Sequence, residues 1–278
     1  MSRKNSILIS LVKHIILLCG SALAIFPFYW MIATSLRLPQ DVFKMPPSIL
    51  PWPITFENYI AVFSDEVSML RAFLNSMKIA VGVTAGTLFT SSMAGYAFSK
   101  VNFNGRDKIF GIFISTMMIP GTVCLIPMFI LFSKIGWVDT HLPLMVPAIL
   151  FNAYGTFMLK QFMMGIPDSY IEAARLDGCN HFRIYLGIML PLCKPILVTL
   201  GLFQFIGNWN NFTGALIFLS DETKYTIPLI INSFRSIYTV NWGLLMAAAV
   251  VAILPIALVY FAAQKYIVEG ITMSGVKG

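Results

Sequence analysis

Charge punctuates this chain so sparsely that six stretches contain no Asp, Glu, Lys or Arg: 14–36, 79–99, 109–133, 140–159, 195–220 and 236–264. Each is 20 to 29 residues long. About 20 predominantly apolar residues cross a hydrocarbon core roughly 30 Å thick as one helix. None of the stretches holds two helices and a turn, and none shows the strict alternation of a membrane barrel strand. Within lipid every backbone N–H and C=O must be paired internally, which an unbroken apolar run achieves as an α-helix. The expected fold class is therefore an all-α membrane protein with six transmembrane helices. Composition agrees: 58% of the residues are hydrophobic and 11% charged, against about 45–50% and 25% in soluble domains. Disorder is excluded on the same ground.

The basic residues set an orientation. With the N-terminus inside, Arg3, Lys4, Lys13, Lys100, Arg106, Lys108, Lys160, Arg175, Arg183, Lys194, Lys265 and Lys277 are internal, 12 of the 19 Lys and Arg. The outer loops then balance 7 bases with 7 acids. Lys and Arg near span ends resist translocation, so both termini are expected in the cytoplasm. The same argument accounts for the net charge of +7 without a nucleic-acid partner. Reading the first run as a cleaved signal peptide fits poorly, because Ala22-Leu23-Ala24 lies in its middle. Four scattered cysteines, Cys19, Cys124, Cys179 and Cys193, predict neither disulfide nor metal site.

The loops are unequal. Residues 37–78 are rich in proline (Pro39, Pro46, Pro47, Pro51 and Pro53) and predict extended backbone over the outer face. In the second span, Gly82-x-x-x-Gly86 with Ser91, Ser92 and Gly95 permits close helix approach, within one subunit or between two. The internal segment 160–194 is the unusual one. Ser169-x-x-Glu172 reads as a capping box, Pro167 stands just upstream, and Ala173, Ala174, Arg175 and Leu176 favour helix. Gly178 suits a left-handed cap. A helix of two to three turns follows, then a second over about 180–189 that stops at Pro191 and Pro195. So short a helix is marginal alone, so either the protein's own membrane face or a partner's groove must hold it.

Glu172-Ala173-Ala174, Asp177-Gly178 and, nine residues on, Ile188-x-Leu190-Pro191 resemble the EAA loop of ABC-importer permeases. Met118-Ile-Pro120, Leu125-Ile-Pro127, Trp209-Asn-Asn-Phe212, Gln264–Gly270 and Gly275–Gly278 extend the resemblance, to the maltose-type carbohydrate permeases, over residues 15–278. The resemblance implies a single polytopic permease domain over 1–278, with a core at about 70–265 and a cytoplasmic coupling segment at 160–194. It places such a chain in the bacterial inner membrane and implies a second permease, two ATPase subunits and an extracytoplasmic binding protein as partners. It assigns Glu172, Ala173, Ala174, Arg175, Asp177 and Gly178 to the ATPase contact, and the tail Glu269–Gly278 to a reach toward the ATPase pair. No G-x-x-x-x-G-K-[ST] occurs, so ATP and Mg belong to the partner and no cofactor or catalytic residue is expected here.

Polar groups inside lipid mark a pathway or a packing contact. Gln204, Asn208, Asn210 and Asn211, interleaved with Phe205, Trp209 and Phe212, suit a sugar, since amides bond hydroxyls and rings stack on C–H faces. The same amides could equally join neighbouring helices. Asn152, Tyr154 and Thr122 are weaker candidates, and Lys78 is assigned no role. No Arg or Lys lies inside the third to fifth spans, which points to a neutral sugar or polyol. An ion-coupled secondary carrier is the rival reading, but no span contains Asp or Glu to carry the coupling proton. Motifs for an intramembrane enzyme are absent, and a channel has no use for so elaborate a cytoplasmic segment.

Overall fold

The computed structural model describes residues 3–46, 48–64, 69–234 and 241–275, with side chains from 9 to 266 within those ranges. Among the described residues every regular element is helical. In order these are α1 (Arg3–Ser35), α2 (Glu57–Val62), α3 (Met69–Lys100), α4 (Arg106–Ser115), α5 (Gly121–Lys134), α6 (Leu142–Leu150) and α7 (Ala153–Met164). Then follow α8 (Ser169–Leu176), α9 (His181–Ile184), α10 (Leu190–Leu192), α11 (Lys194–Trp209), α12 (Phe212–Phe218), α13 (Ile227–Ser233) and α14 (Trp242–Gly275). A π-helical segment, Tyr185–Met189, joins α9 to α10. The chain divides into two compact units, Met1–Met69 with Ile231–Leu254 and Leu70–Ile230 with Pro255–Gly278.

Four stretches are long and apolar enough to cross a membrane: Ile9–Ser35, Met69–Lys100, Leu142–Met164 and Trp242–Tyr266. Two bent pairs raise the number to six if each is one span: Arg106–Met118 with Gly121–Lys134, at 98°, and His181–Leu192 with Lys194–Trp209, at 78°. The third expected span is therefore not the unbroken helix that its apolar run suggested. Pro120 has no N–H and drives Ile119 to extended backbone (φ −86°, ψ 115°), which ends one helix and starts the next. The fifth run, 195–220, also breaks, at Asn210–Asn211. The helix over 180–189 passes through Pro191 to Leu192 before the bend. Pro191 lies inside that run, two residues past the π-helical segment Tyr185–Met189, where the backbone already departs from regular α-helical bonding. Residues 236–240 of the sixth expected span lie outside the described residues.

In the first unit, the chain after α1 is pinned by Asn58, whose amide donates to the carbonyls of Ser35 and Arg37, both at 2.9 Å. Arg37 is buried and stacks 4.8 Å from the centre of the Trp30 ring. The proline-rich stretch is irregular apart from one 3-10 turn, Pro39–Asp41, up to α2. Its expected extent to residue 78 is too long, because α3 already begins at Met69.

In the second unit, the small residues of α3 serve packing within the subunit. A Cβ on Gly82 would meet Met145 at 2.7 Å, one on Gly86 would meet Ile149 at 2.8 Å, and one on Gly95 would meet Leu159 Cβ at 2.9 Å and the Lys160 backbone N at 3.1 Å. Closeness here has a further use. The α6–α7 span is interrupted at Phe151–Asn152, so the last carbonyls of α6 lose their helical donors. The hydroxyls of Thr87 and Thr90 donate to the carbonyls of Ala148 (3.0 Å) and Ile149 (2.5 Å) instead. Asn152 caps the restart by accepting from Gly155 N at 2.6 Å.

At the other end of these helices, Asp139 joins two loops. Its carboxylate accepts from the backbone N–H groups of Ser220 and Asp221, both at 3.0 Å, and from Lys224 Nζ at 2.6 Å. The Lys224 bond, followed by the two backbone donors, holds the Asp139 carboxyl at about 2. A depressed acid stabilises the fold fully above its ordinary value, and that stabilisation disappears as pH falls through the folded value.

Three outcomes are expected. Gly→Ala inside a helix ordinarily stabilises by up to about 1 kcal/mol, and Gly111→Ala, with nothing within 4 Å, should do so. Gly95→Ala should lower the melting temperature in detergent, by overpacking of about 1–3 kcal/mol. Acid titration of the wild type should show a loss of stability between about pH 4 and pH 2 that Asp139→Asn reduces, with a remainder from Asp221, whose carboxyl is also lowered by its bonds from Thr223.

Candidate coupling site

The short helix α8 is built as the sequence suggests at its end and differently at its start. Gly178 adopts φ +77°. Its N–H donates to Arg175 O at 3.0 Å and the Cys179 N–H donates to Ala174 O at 2.9 Å, the paired bonds of a Schellman cap. The start is not a capping box. Asp168, not Ser169, is the N-cap residue, and no side chain caps the turn. The Glu172 N–H that Ser169 was expected to serve is already bonded to the Asp168 carbonyl at 3.0 Å. The Asp168 carboxylate is engaged elsewhere, at 2.6 Å from Lys100 Nζ.

That ion pair is one of four bonds that three residues of α3 make to the segment. Lys100 Nζ also donates to the Ile166 carbonyl at 2.6 Å, and only 5% of its side chain is exposed. Tyr96 OH lies 3.2 Å from His181 Nδ1, and Ser92 Oγ lies 2.7 Å from Tyr185 OH. Asn180 caps α9 by accepting from Arg183 N at 2.9 Å. Beneath these bonds Ile171 and Ala174 are buried in a cluster with Leu159, Met163, Ile184 and Met189. Ile171 and Ala174 stand three apart and so share one helical face.

Of the six residues assigned to a partner contact, five are on the open side: Glu172, Ala173, Arg175, Asp177 and Gly178 are exposed. Ala174 points inward, 5% exposed, so its small size serves the contact with the bundle. Leu176 is 90% exposed and Tyr170 52%, leaving two large apolar side chains in the open on an eight-residue helix. The motif does not mark Leu176, nor does it mark Lys100, Tyr96, Ser92 or Tyr185. Their signal in the sequence was confined to a lysine ending a span and hydroxyl groups at helical spacing before it.

The pathway candidates occupy the break between α11 and α12. Asn208 Nδ2 donates to Gln204 O at 2.7 Å and Asn210 Nδ2 to Ile206 O at 3.0 Å, each within its own helix. Asn211 caps α12, accepting from Gly214 N at 3.0 Å. Trp209 is 1% exposed, stacked on Phe205 at 5.6 Å and edge-on to Phe73 at 5.5 Å. Gln204 is half-buried and Asn210 exposed. Since α6 packs on α12 and α7 on α11, this break lies beside the one at Phe151–Asn152. Among the described residues, no three His, Cys, Asp or Glu side chains gather as a metal site. The tail Glu269–Gly278 lies outside the described side chains.

α8 is thus a capped helix between two expected spans, with most of its outer side chains exposed. Residues 78–273 match the family of binding-protein-dependent transport system inner membrane components, and the chain belongs to that family, as a multi-pass permease component of the inner membrane. It is 33% identical over 260 residues to the arabinooligosaccharides transport system permease protein AraQ of Bacillus subtilis, covering 93% of this chain and 92% of that one. It is 33% identical over 273 residues to the trehalose/maltose transport system permease protein MalG of Thermococcus litoralis, covering 96% and 98%. Among solved structures, a bacterial ABC transporter involved in the import of the acidic polysaccharide alginate superposes with a TM-score of 0.83 at 25% identity, over 96% of this chain and 99% of that one.

Lys100→Met removes the donor shared by Ile166 and Asp168. A hydrogen bond to a charged group contributes about 1.5–3 kcal/mol, so amide exchange in 169–179 should quicken by tenfold or more while the spans exchange as before. Unchanged exchange in that peptide would remove Lys100 from the anchor.

Proposed function

We propose that this chain is the transmembrane permease subunit of an ATP-driven importer that carries a neutral sugar or polyol into the cytoplasm. A separate ATPase drives it through α8. The observation that carries this reading is the two-sidedness of α8. Its inner face is bonded and packed to the bundle at Ile171, Ala174 and Asp168, while Glu172, Ala173, Leu176 and Asp177 remain exposed. A helix tied on one side transmits displacement applied to the other. Leu176 is the apolar anchor for a pocket on the partner, and Glu172, Arg175 and Asp177 are rim charges of smaller individual effect.

On this reading residues 1–278 form one permease domain, with a core at about 70–265, a coupling segment at 160–194, six spans and both termini in the cytoplasm. The partners are a second permease, two ATPase subunits that hold ATP and Mg, and an extracytoplasmic binding protein. Two inward-facing and outward-facing states, each favoured by differential contacts with those partners, supply alternating access. The substrate class is drawn from the sugar systems named for the relatives and from the absence of Lys and Arg in the third to fifth expected spans.

The paired breaks at 151–152 and 210–211 support a pathway there. Non-helical backbone inside a span is tolerated where it is buried in protein or lines a water-filled cavity, and broken helices are where transporters bind solutes. Asn208 and Asn210 each use one amide hydrogen on their own helix and have oxygens available to a sugar hydroxyl.

Leu176→Asp should weaken binding of the ATPase by about 2 kcal/mol or more, roughly thirty-fold, without lowering the melting temperature of the permease. Glu172→Lys and Gly178→Asp should act in the same direction. ATPase that co-purified with all three at the wild-type level would remove α8 from the contact. In proteoliposomes, uptake should require ATP and survive collapse of the proton gradient. Asn210→Ala should lower the uptake rate with assembly intact.

A further inference from the structure

A long apolar groove of about 590 Å³ runs along the second unit between α3, α11 and the end of α14. Its floor and walls include Leu88, Leu197, Gly201 and Phe205, with Val259 and Ala262 opposite. Lys194 and Phe205, both lining it, are eleven residues apart on α11, so at 1.5 Å per residue the groove is about 16 Å long. Its polar ends are unequal. At one end Lys194 is exposed, its Nζ 5.1 Å from the centre of the Tyr266 ring, and among the described residues no carboxylate pairs with it. The other end closes on Phe205.

We propose that this groove is a binding site for an anionic phospholipid, with an acyl chain along Leu88, Leu197, Gly201 and Phe205 and the phosphate on Lys194. Three features select this occupant. All three walls belong to helices long enough to span, or half of a bent pair that is, so hydrocarbon chains are the solvent that reaches the groove. Its shape is a trough three turns long rather than a compact chamber, which matches a chain. A lysine that no described carboxylate pairs with, beside a tyrosine, marks a headgroup level, where cationic pockets between helices hold anionic lipid. The groove also has a mechanical position. Leu190, Pro191 and Lys194 line it and lie at the 78° bend that follows the coupling segment, so its occupant is placed to stiffen that bend. This consequence, and the placement of Lys194 on the cytoplasmic side, rest on the orientation proposed above. The binding site itself does not.

The test reads lipid retention rather than transport, so it stands apart from the ATPase reading. The purified importer complex is exposed to phosphatidylglycerol and to phosphatidylcholine, and retained lipid is weighed by native mass spectrometry. Wild type should prefer phosphatidylglycerol. Lys194→Gln should reduce that preference about fivefold, and Lys194→Arg, which keeps the charge, should restore it. Equal preference in wild type and Lys194→Gln would overturn the site. In a second arm, a photoreactive residue at Val198, which also lines the groove, should yield an adduct of phospholipid mass. An adduct to the second permease subunit would make the groove a subunit contact and overturn the proposal.

Discussion

In lipid, a peptide group released from a helix has no water to turn to, and this structure is organised around that penalty. The long helices interrupt themselves at Ile119–Pro120, Phe151–Asn152, Cys193 and Asn210–Asn211. At the second break the freed carbonyls of Ala148 and Ile149 receive Thr87 and Thr90 from a neighbouring helix. At the second and fourth breaks an asparagine accepts from an N–H of the restarting helix. Thr87 and Thr90 reach across because α3 carries Gly82 and Gly86 close against α6. Small residues and backbone satisfaction are therefore one device: close approach makes short polar side chains long enough.

The same helix that services the α6–α7 break holds the segment that carries α8 and α9. Ser92, Tyr96 and Lys100 succeed one another at four-residue spacing along α3 and so project from one face. Each takes a different piece of the segment: Tyr185, His181 and Asp168. On the reading proposed above, a push on α8 would be resisted at three points along about 12 Å of one rigid rod. That is a better lever than a single hinge, because rotation of the segment about any one tie strains the other two.

Much of this was legible in the residues. Charge-free runs located the long helices, since hydropathy reports the solvent directly. The left-handed cap was legible at Gly178, because a residue four past Ala174 and followed by a loop needs a conformation that glycine adopts without strain. The N-terminus of α8 was misread for a physical reason: Ser169-x-x-Glu172 has capping-box chemistry, but the Lys100 charge draws Asp168 into place and the helix starts there. Ala174 was grouped with Ala173 because both are small. Only the helical register, with Ile171 buried beside it, separates the one that faces the bundle from the one that faces out. The bends were half-legible. Pro120 announces its break, whereas the break at Asn152 has no proline and depends on tertiary donors from Thr87 and Thr90 that no local pattern displays.

The two amide-rich breaks then differ in kind from ordinary packing. Asn211 and Asn152 are consumed by capping, and Trp209 is consumed by its stack with Phe205 and its edge contact with Phe73. What remains open is Asn210 and part of Asn208, one turn apart at most at the end of α11. An amide with a spare oxygen is a small, neutral group. It has no charge with which to hold an ion against its hydration. Even these two give one amide hydrogen to their own helix, at Gln204 O and Ile206 O, so only their remaining polar atoms bear on the neutral-solute reading proposed above.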